Sequence, residues 1–210
     1  MLAKGTPIYL IAIPIVSFIL VVLFWTLDLP LLLIPAGILF GLYFLLISFF
    51  RDPERNIAKG VVSPADGVVK EVRKEGRSYF ISVFMNIHNV HVNRIPFDGR
   101  VVSIEHIPGG FVPAFKKDSD RNERVVTRIK TRHGIYEITQ IAGAVARRIV
   151  IYLEEGDEVR KGDRMGLIRY GSRVDLRFKP PPGYSILVEP EDRVKAGESQ
   201  FAYLDGGRKE

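Results

Sequence analysis

Three short stretches carry the residue types that acid–base and nucleophilic chemistry need. Ser63-Pro64-Ala65-Asp66-Gly67 sets a carboxylate in a turn bracketed by proline and glycine. Asn86-Ile87-His88-Asn89-Val90-His91-Val92-Asn93-Arg94 brings two imidazoles, then an amide and a guanidinium. Tyr170-Gly171-Ser172-Arg173-Val174-Asp175 puts a hydroxyl directly after a glycine. Each stretch alone reads as an ordinary turn. Together, Asp, His and Ser are the ingredients for activating a hydroxyl. His91 suits a general base. On a strand the H-x-x-H spacing sends the two rings to opposite faces, and no third ligand stands nearby, so no metal site is expected. His106 and His133 have no such context and read as structural. The chain has no cysteine, which excludes a disulfide framework, a Cys-ligated metal and thiol catalysis.

The elements that must position these residues are mostly strands. Alternating or β-branched runs recur between turn signals. They are Gly67–Val72, Tyr79–Phe84, Arg100–Ile104, Val125–Ile129, Ile135–Ile138 and Ile149–Leu153. The Ala-rich stretch Gln140–Arg148 predicts one short helix, and Asp205–Glu210 reads as a frayed tail. Gly171-Ser172 falls between Met165–Ile168 and Val174–Leu176, where the pattern asks for one continuous strand. A bulge or a close backbone approach is expected there. The segments Gly156–Asp163 and Glu191–Glu198 repeat one pattern: acid, Val, base, Gly, acid. Such a strand–turn–strand unit used twice resembles, at the level of fold, the sandwiched barrels of lipoyl and biotinyl domains. The modifiable lysine tripeptide of those carriers is absent, so carrier function is not expected. The expected fold is mainly β: a barrel-sandwich-like head with an N-terminal two-helix membrane hairpin.

The hairpin rests on residues 1–50, whose only charges are Lys4 and Asp28. The uncharged runs Ile8–Leu27 and Leu29–Phe50 hold 20 and 22 residues. About 20 apolar residues suffice to cross a bilayer as a helix. Both runs exceed the apolar region of a signal peptide, and no small-residue cleavage site follows. Lys4 precedes the first run, and Arg51, Arg55 and Lys59 follow the second. The positive-inside rule then puts both flanks, and the head at 51–210, in the cytoplasm. The charges of the first 50 residues cancel, so the net +6 belongs to the head. A basic head beside a bilayer suits an anionic lipid. No nucleic-acid-binding signature is present, so no nucleic-acid partner is expected.

Taken in order, the motifs resemble the phosphatidylserine decarboxylase family in its short form. The likeness begins at Phe49-Phe50-Arg51-Asp52-Pro53-Glu54-Arg55, after the two spans. It runs through Ser63–Gly67, Asn89–Arg94, Asn122-Glu123-Arg124, Gln140–Gly143 and Ala146–Val150 to Gly166–Asp175. The resemblance implies a proenzyme that cuts itself between Gly171 and Ser172. The Ser172 hydroxyl attacks the Gly171 carbonyl, the resulting ester eliminates, and the new terminus becomes a covalent pyruvoyl group. The products are a β chain ending at Gly171 and an α chain of 39 residues, associated as a heterodimer.

In this implied scheme His91 is the base and Asp66 orients it. The pyruvoyl group then forms a Schiff base with the serine head group of an anionic phospholipid, and CO2 leaves. His88, where the short-form pattern often has an apolar residue, is a candidate proton donor or carboxylate partner, and Arg94, Arg147 and Arg148 are candidate phosphate ligands on the basic surface. The lipid is phosphatidylserine or archaetidylserine, and its tails are not legible here. A membrane-anchored barrel-sandwich adaptor without catalysis is the alternative, but it gives no reason for Gly171-Ser172, His91 and Asp66. A serine hydrolase would need a Gly-x-Ser-x-Gly elbow, which the chain lacks.

Overall fold

The computed structural model describes residues 1–110, 122–143, 148–169 and 172–204. The chain divides into two units, Met1–Asp52 and Pro53–Glu210. The first is a helical hairpin: α1 (Tyr9–Leu27), a 3-10 turn (Pro30–Leu32) and α2 (Leu33–Phe49). Asp28 ends α1 in the left-handed conformation (φ 50°), and Pro30 opens the turn that follows. Ser17 Oγ donates to the Ala36 carbonyl at 2.9 Å, tying one helix to the other. Backbone bonds Ala3 N to Phe50 O and Asp52 N to Met1 O, both 2.8 Å, close the open end. With the 3-10 turn counted in the second, the helices hold 19 and 20 residues, with mean hydropathy 2.7 and 2.4. At 1.5 Å per residue each is about 30 Å long, so both are long and apolar enough to cross a membrane.

The second unit is mainly β. In chain order its strands are β1 (Val61–Val62), β2 (Gly67–Glu75), β3 (Ser78–Met85), β4 (Val92–Arg94), β5 (Gly99–Ile107), β6 (Arg124–Thr131) and β7 (Gly134–Ala142). There follow β8 (Ile149–Ile151), β9 (Glu158–Val159), β10 (Arg164–Ile168), β11 (Ser172–Phe178), β12 (Tyr184–Ile186), β13 (Arg193–Val194) and β14 (Gln200–Leu204). A curled eight-stranded sheet has the order β13-β2-β3-β11-β7-β6-β5-β9. Two three-stranded sheets, β1-β14-β12 and β4-β10-β8, accompany it.

This order is a duplication. The set β1, β2, β3, β11, β12, β13, β14 has the same mutual pairings as β4, β5, β6, β7, β8, β9, β10. Local contacts repeat with it. Val62 N bonds Pro96 O, and Arg94 N bonds Pro64 O. Asp66 accepts from the Ala196 N–H at 2.8 Å, and Asp98 from the Lys161 N–H at 2.7 Å. Gly67 and Gly99 both lie flat against the neighbouring strand. A Cβ there would sit 2.1 Å from the Phe84 carbonyl oxygen or 2.6 Å from that of Lys130, which only glycine avoids. The two sequence repeats supply β9 and β13, the two edges of the large sheet.

The second set is inserted into the first between β3 and β11. In the inserted half, β6 and β7 close as a tight hairpin, with Thr131 paired to Gly134. In the host half, Met85 pairs with Ser172 across the corresponding hairpin, and residues 86–171 intervene. The inner face of the large sheet is apolar, with Val69, Ile81, Val83, Ile138, Val174 and Leu176 all fully buried. Part of its outer face is a ladder of exposed ion pairs through Arg73, Glu75, Arg177, Glu137 and Arg128. Hydrogen bonds from Arg73 and then Arg177 hold the Glu75 carboxyl below its ordinary range.

Two sequence expectations change. Gln140–Ala142 is the end of β7, not the start of a helix. Ladder pairing of Gln140 with Val174 and Ile141 with Arg173 overrides the helix preference of an Ala-rich stretch. Met165–Ile168 and Val174–Leu176 also belong to different sheets, the first to β10 in a small one and the second to β11 in the large one, and not to one strand. Apolar runs in both sheets gave the appearance of continuity. The tail Asp205–Glu210 lies outside the described residues.

Candidate active site

Ser172 opens β11, the strand held between β3 and β7. Its pairing partners are Met85 on one side and Ala142 on the other. The side chain is fully buried, and Oγ donates to the Met85 thioether at 3.2 Å, a weak acceptor. Gly171 and Arg147 lie outside the described residues.

His91 stands just before β4 and is fully buried. Its Nδ1 lies 2.9 Å from the Asn89 carbonyl oxygen. A carbonyl can only accept, so Nδ1 carries the proton there, and a neutral ring is left basic at Nε2. The turn that makes this contact is built by its own residues: Asn89 Oδ1 accepts from the Asn86 N–H at 2.7 Å. His88 sits on that turn, exposed. The H-x-x-H pair is thus split between a surface turn and the interior.

Asp66 ends the turn before β2 and is 6% exposed. Arg55 binds both its oxygens, at 2.9 and 2.8 Å, and the Ala196 N–H takes one of them as well. Arg55 also reaches Glu198 at 3.5 Å. Glu198 is half-buried and also faces Lys195 at 3.8 Å. Arg94, 5% exposed, donates to the carbonyls of Gly162 and Pro53, both at 2.9 Å. Arg148 is exposed.

Residues without an assigned role in the sequence complete the surroundings of Ser172. Asn93 and Gln140 are fully buried, and Gln140 Nε2 donates to Asn93 Oδ1 at 2.7 Å. Asn93 Nδ2 lies 3.6 Å from the same Met85 sulfur. Gly166 on β10 lets them in, since a Cβ there would be 3.2 Å from Gln140 Nε2 and 2.6 Å from the Val150 carbonyl oxygen. Asn122 bonds the Ala142 carbonyl at 2.8 Å, fixing the end of β7 beside Ser172. Met85, Gln140 and Ser172 meet because β3, β11 and β7 pair side by side, and Asn93 joins them from β4 of a small sheet through its contacts with Gln140 and Met85. Arg55 and Asn122 stood in recognisable motifs, but their partners could not be read from spacing.

A buried hydroxyl with a buried imidazole in the same unit can do acyl chemistry on a neighbouring peptide bond. Residues 42–202 match the family model described as phosphatidylserine decarboxylase. A phosphatidylserine decarboxylase proenzyme of Streptomyces griseus is 54% identical over 159 residues, covering 74% of this chain and 73% of its own. A protein of Methanosarcina acetivorans, provisionally named an archaetidylserine decarboxylase proenzyme, is 42% identical over 212 residues and 99% of both chains. A family model matching most of the chain, with relatives at this level of identity, settles membership: the chain belongs to the phosphatidylserine decarboxylase family.

Proposed function

We propose that the chain is a self-processing decarboxylase of serine phospholipids, cut between Gly171 and Ser172. The observation that carries this reading is the position of Ser172. It is fully buried at the point where the inserted half returns to its host. A cut before it severs a connection between halves and leaves both ladders of β11 in place. The two product chains then stay together through those ladders and through β14 beside β1.

Self-cleavage needs Ser172 Oγ to lose its proton as it attacks the preceding carbonyl. His91 takes that proton at Nε2, the nitrogen its Asn89 contact leaves basic. Asp66, buried and held by Arg55, is proposed to orient His91 and support the imidazolium. The proton then goes to the nitrogen of residue 172 as the acyl group moves from nitrogen to oxygen.

A pyruvoyl group at residue 172 supplies an electrophilic carbonyl and an electron sink for decarboxylation. The surroundings fit such a group. The side-chain position is fully buried, and the polar atoms gathered about it are the amides of Asn93 and Gln140 and the thioether of Met85. None of these competes for the carbonyl as a nucleophile at neutral pH. His88, on the exposed turn beside His91, is the proposed proton donor. Arg148 and Arg147 are proposed to meet the lipid phosphate, and Arg94 to brace the site while its guanidinium holds two carbonyls. The head is proposed to face the cytoplasm, anchored by α1 and α2, with the serine phospholipid entering from the membrane.

Purified protein mixed with vesicles of phosphatidylserine, or separately of archaetidylserine, is expected to release CO2 and leave the ethanolamine lipid. A folded, processed protein that converts neither lipid contradicts this function.

A further inference from the structure

Gln140 and Asn93 are fully buried beside Ser172, and the scheme above gives their side chains no chemical task. Ala142 pairs with Ser172 and Gln140 with Val174, so Gln140 is a diagonal neighbour of Ser172. All four residues are buried on the inner face of the sheet. Diagonal positions lie about 7–8 Å apart, within reach of a long side chain. Contacts close the circuit: Gln140 to Asn93 at 2.7 Å, Asn93 to the Met85 sulfur at 3.6 Å, and that sulfur to Ser172 Oγ at 3.2 Å. Gln140 Oε1 has no hydrogen-bond partner among the described residues. A buried amide oxygen without a donor is costly, and folded proteins rarely keep one without a use.

We propose that Gln140 Oε1 is the acceptor for the amine nitrogen that leaves, and later joins, the α-carbon of residue 172. This rests on the self-processing reading. There, the nitrogen of Ser172 departs as ammonia, with water supplying the oxygen that replaces it. The amine of the serine head group then arrives at the same carbon. One acceptor therefore serves both events. A neutral amide suits the second event better than a carboxylate. It takes an N–H bond without adding the negative charge that holds an arriving amine protonated and unreactive. Asn93 is the positioning residue: by accepting from Nε2 it fixes which end of the Gln140 amide is offered.

The test uses Gln140→Leu and Gln140→Glu in the full chain. Cutting is followed by intact mass, ammonia by release into solution, and turnover on phosphatidylserine vesicles, with thermal melting to establish folding. Gln140→Leu is expected to cut and release ammonia roughly tenfold more slowly, the loss of one buried hydrogen bond. Gln140→Glu keeps an acceptor. It is expected to cut within about twofold of wild type, yet to turn over lipid about tenfold more slowly, in kcat rather than KM. Should the leucine variant not fold, the nearly isosteric glutamate variant decides alone. A folded Gln140→Leu that cuts at the wild-type rate overturns the proposal. So does a Gln140→Glu in which cutting and turnover change together or not at all. A wild type that stays uncut overturns the self-processing reading instead.

Discussion

Replacing His91 with alanine is expected to slow self-cleavage at least about a hundredfold, the lower range for losing a positioned general base. The purified variant should then be mostly the uncut chain of 210 residues. A serine hydroxyl is a weak nucleophile at neutral pH and needs a base. His91 is fully buried with Nδ1 on the Asn89 carbonyl, so its tautomer is set by the backbone. His91→Gln, which keeps a polar side chain but no base, should fail equally. Intact mass against time measures both. Normal cutting in a folded His91→Ala would remove His91 from this role.

The second large effect separates two aspartates that the duplicated fold places alike. Asp66 and Asp98 each cap a turn, through the N–H groups of Ala196 and Lys161. Only Asp66 is buried, and only its carboxylate is gripped by a guanidinium, that of Arg55. Asp66→Ala leaves Arg55 buried beside Glu198 alone, at a cost of about 3–5 kcal/mol. Asp98→Ala loses one exposed hydrogen bond, at a cost of about 1 kcal/mol. Urea unfolding of the uncut Ser172→Ala background compares the two without interference from processing. In the wild-type background Asp66→Ala should also fail to cut, while Asp98→Ala cuts normally. Equal losses at the two positions would reduce Asp66 to a turn cap.

Much of this was legible in the sequence for a physical reason. Uncharged runs long enough to span a bilayer announce themselves, and α1 and α2 fall inside the expected runs. Strands with one buried face carry a period of two, so β2, β3, β5, β6 and β7 were each anticipated in part. The duplication was only half seen. Gly156–Asp163 and Glu191–Glu198 repeat visibly because the same turn chemistry is required at both sheet edges. Its other half, Ser63-Pro64-Ala65-Asp66-Gly67 against Ile95-Pro96-Phe97-Asp98-Gly99, differs at the core-facing positions and keeps only Pro, Asp and Gly. Those three are the ones the shared turn dictates.

The site was legible as ingredients, not as contacts. Ser172, His91 and Asp66 stood out by residue type. That Met85, Asn93 and Gln140 surround Ser172 depends on contacts across up to 87 residues of chain, and the hold of Arg55 on Asp66 and of Asn89 on His91 depends on how each loop folds back. The helix expected over Gln140–Arg148 failed at Gln140–Ala142 for the same reason: propensity is local, and the ladder with β11 is not.

The central claim is that the chain makes its own reactive group by cutting before Ser172. Intact-mass spectrometry of the purified wild type and of Ser172→Ala tests it most directly. The wild type should appear as two chains, residues 1–171 and 172–210, the smaller blocked to amino-terminal sequencing and lighter by one ammonia than a chain that begins with serine. Ser172→Ala should remain one chain of 210 residues. A folded wild type that stays whole, or a Ser172→Ala variant that is still cut at the same bond, would contradict it.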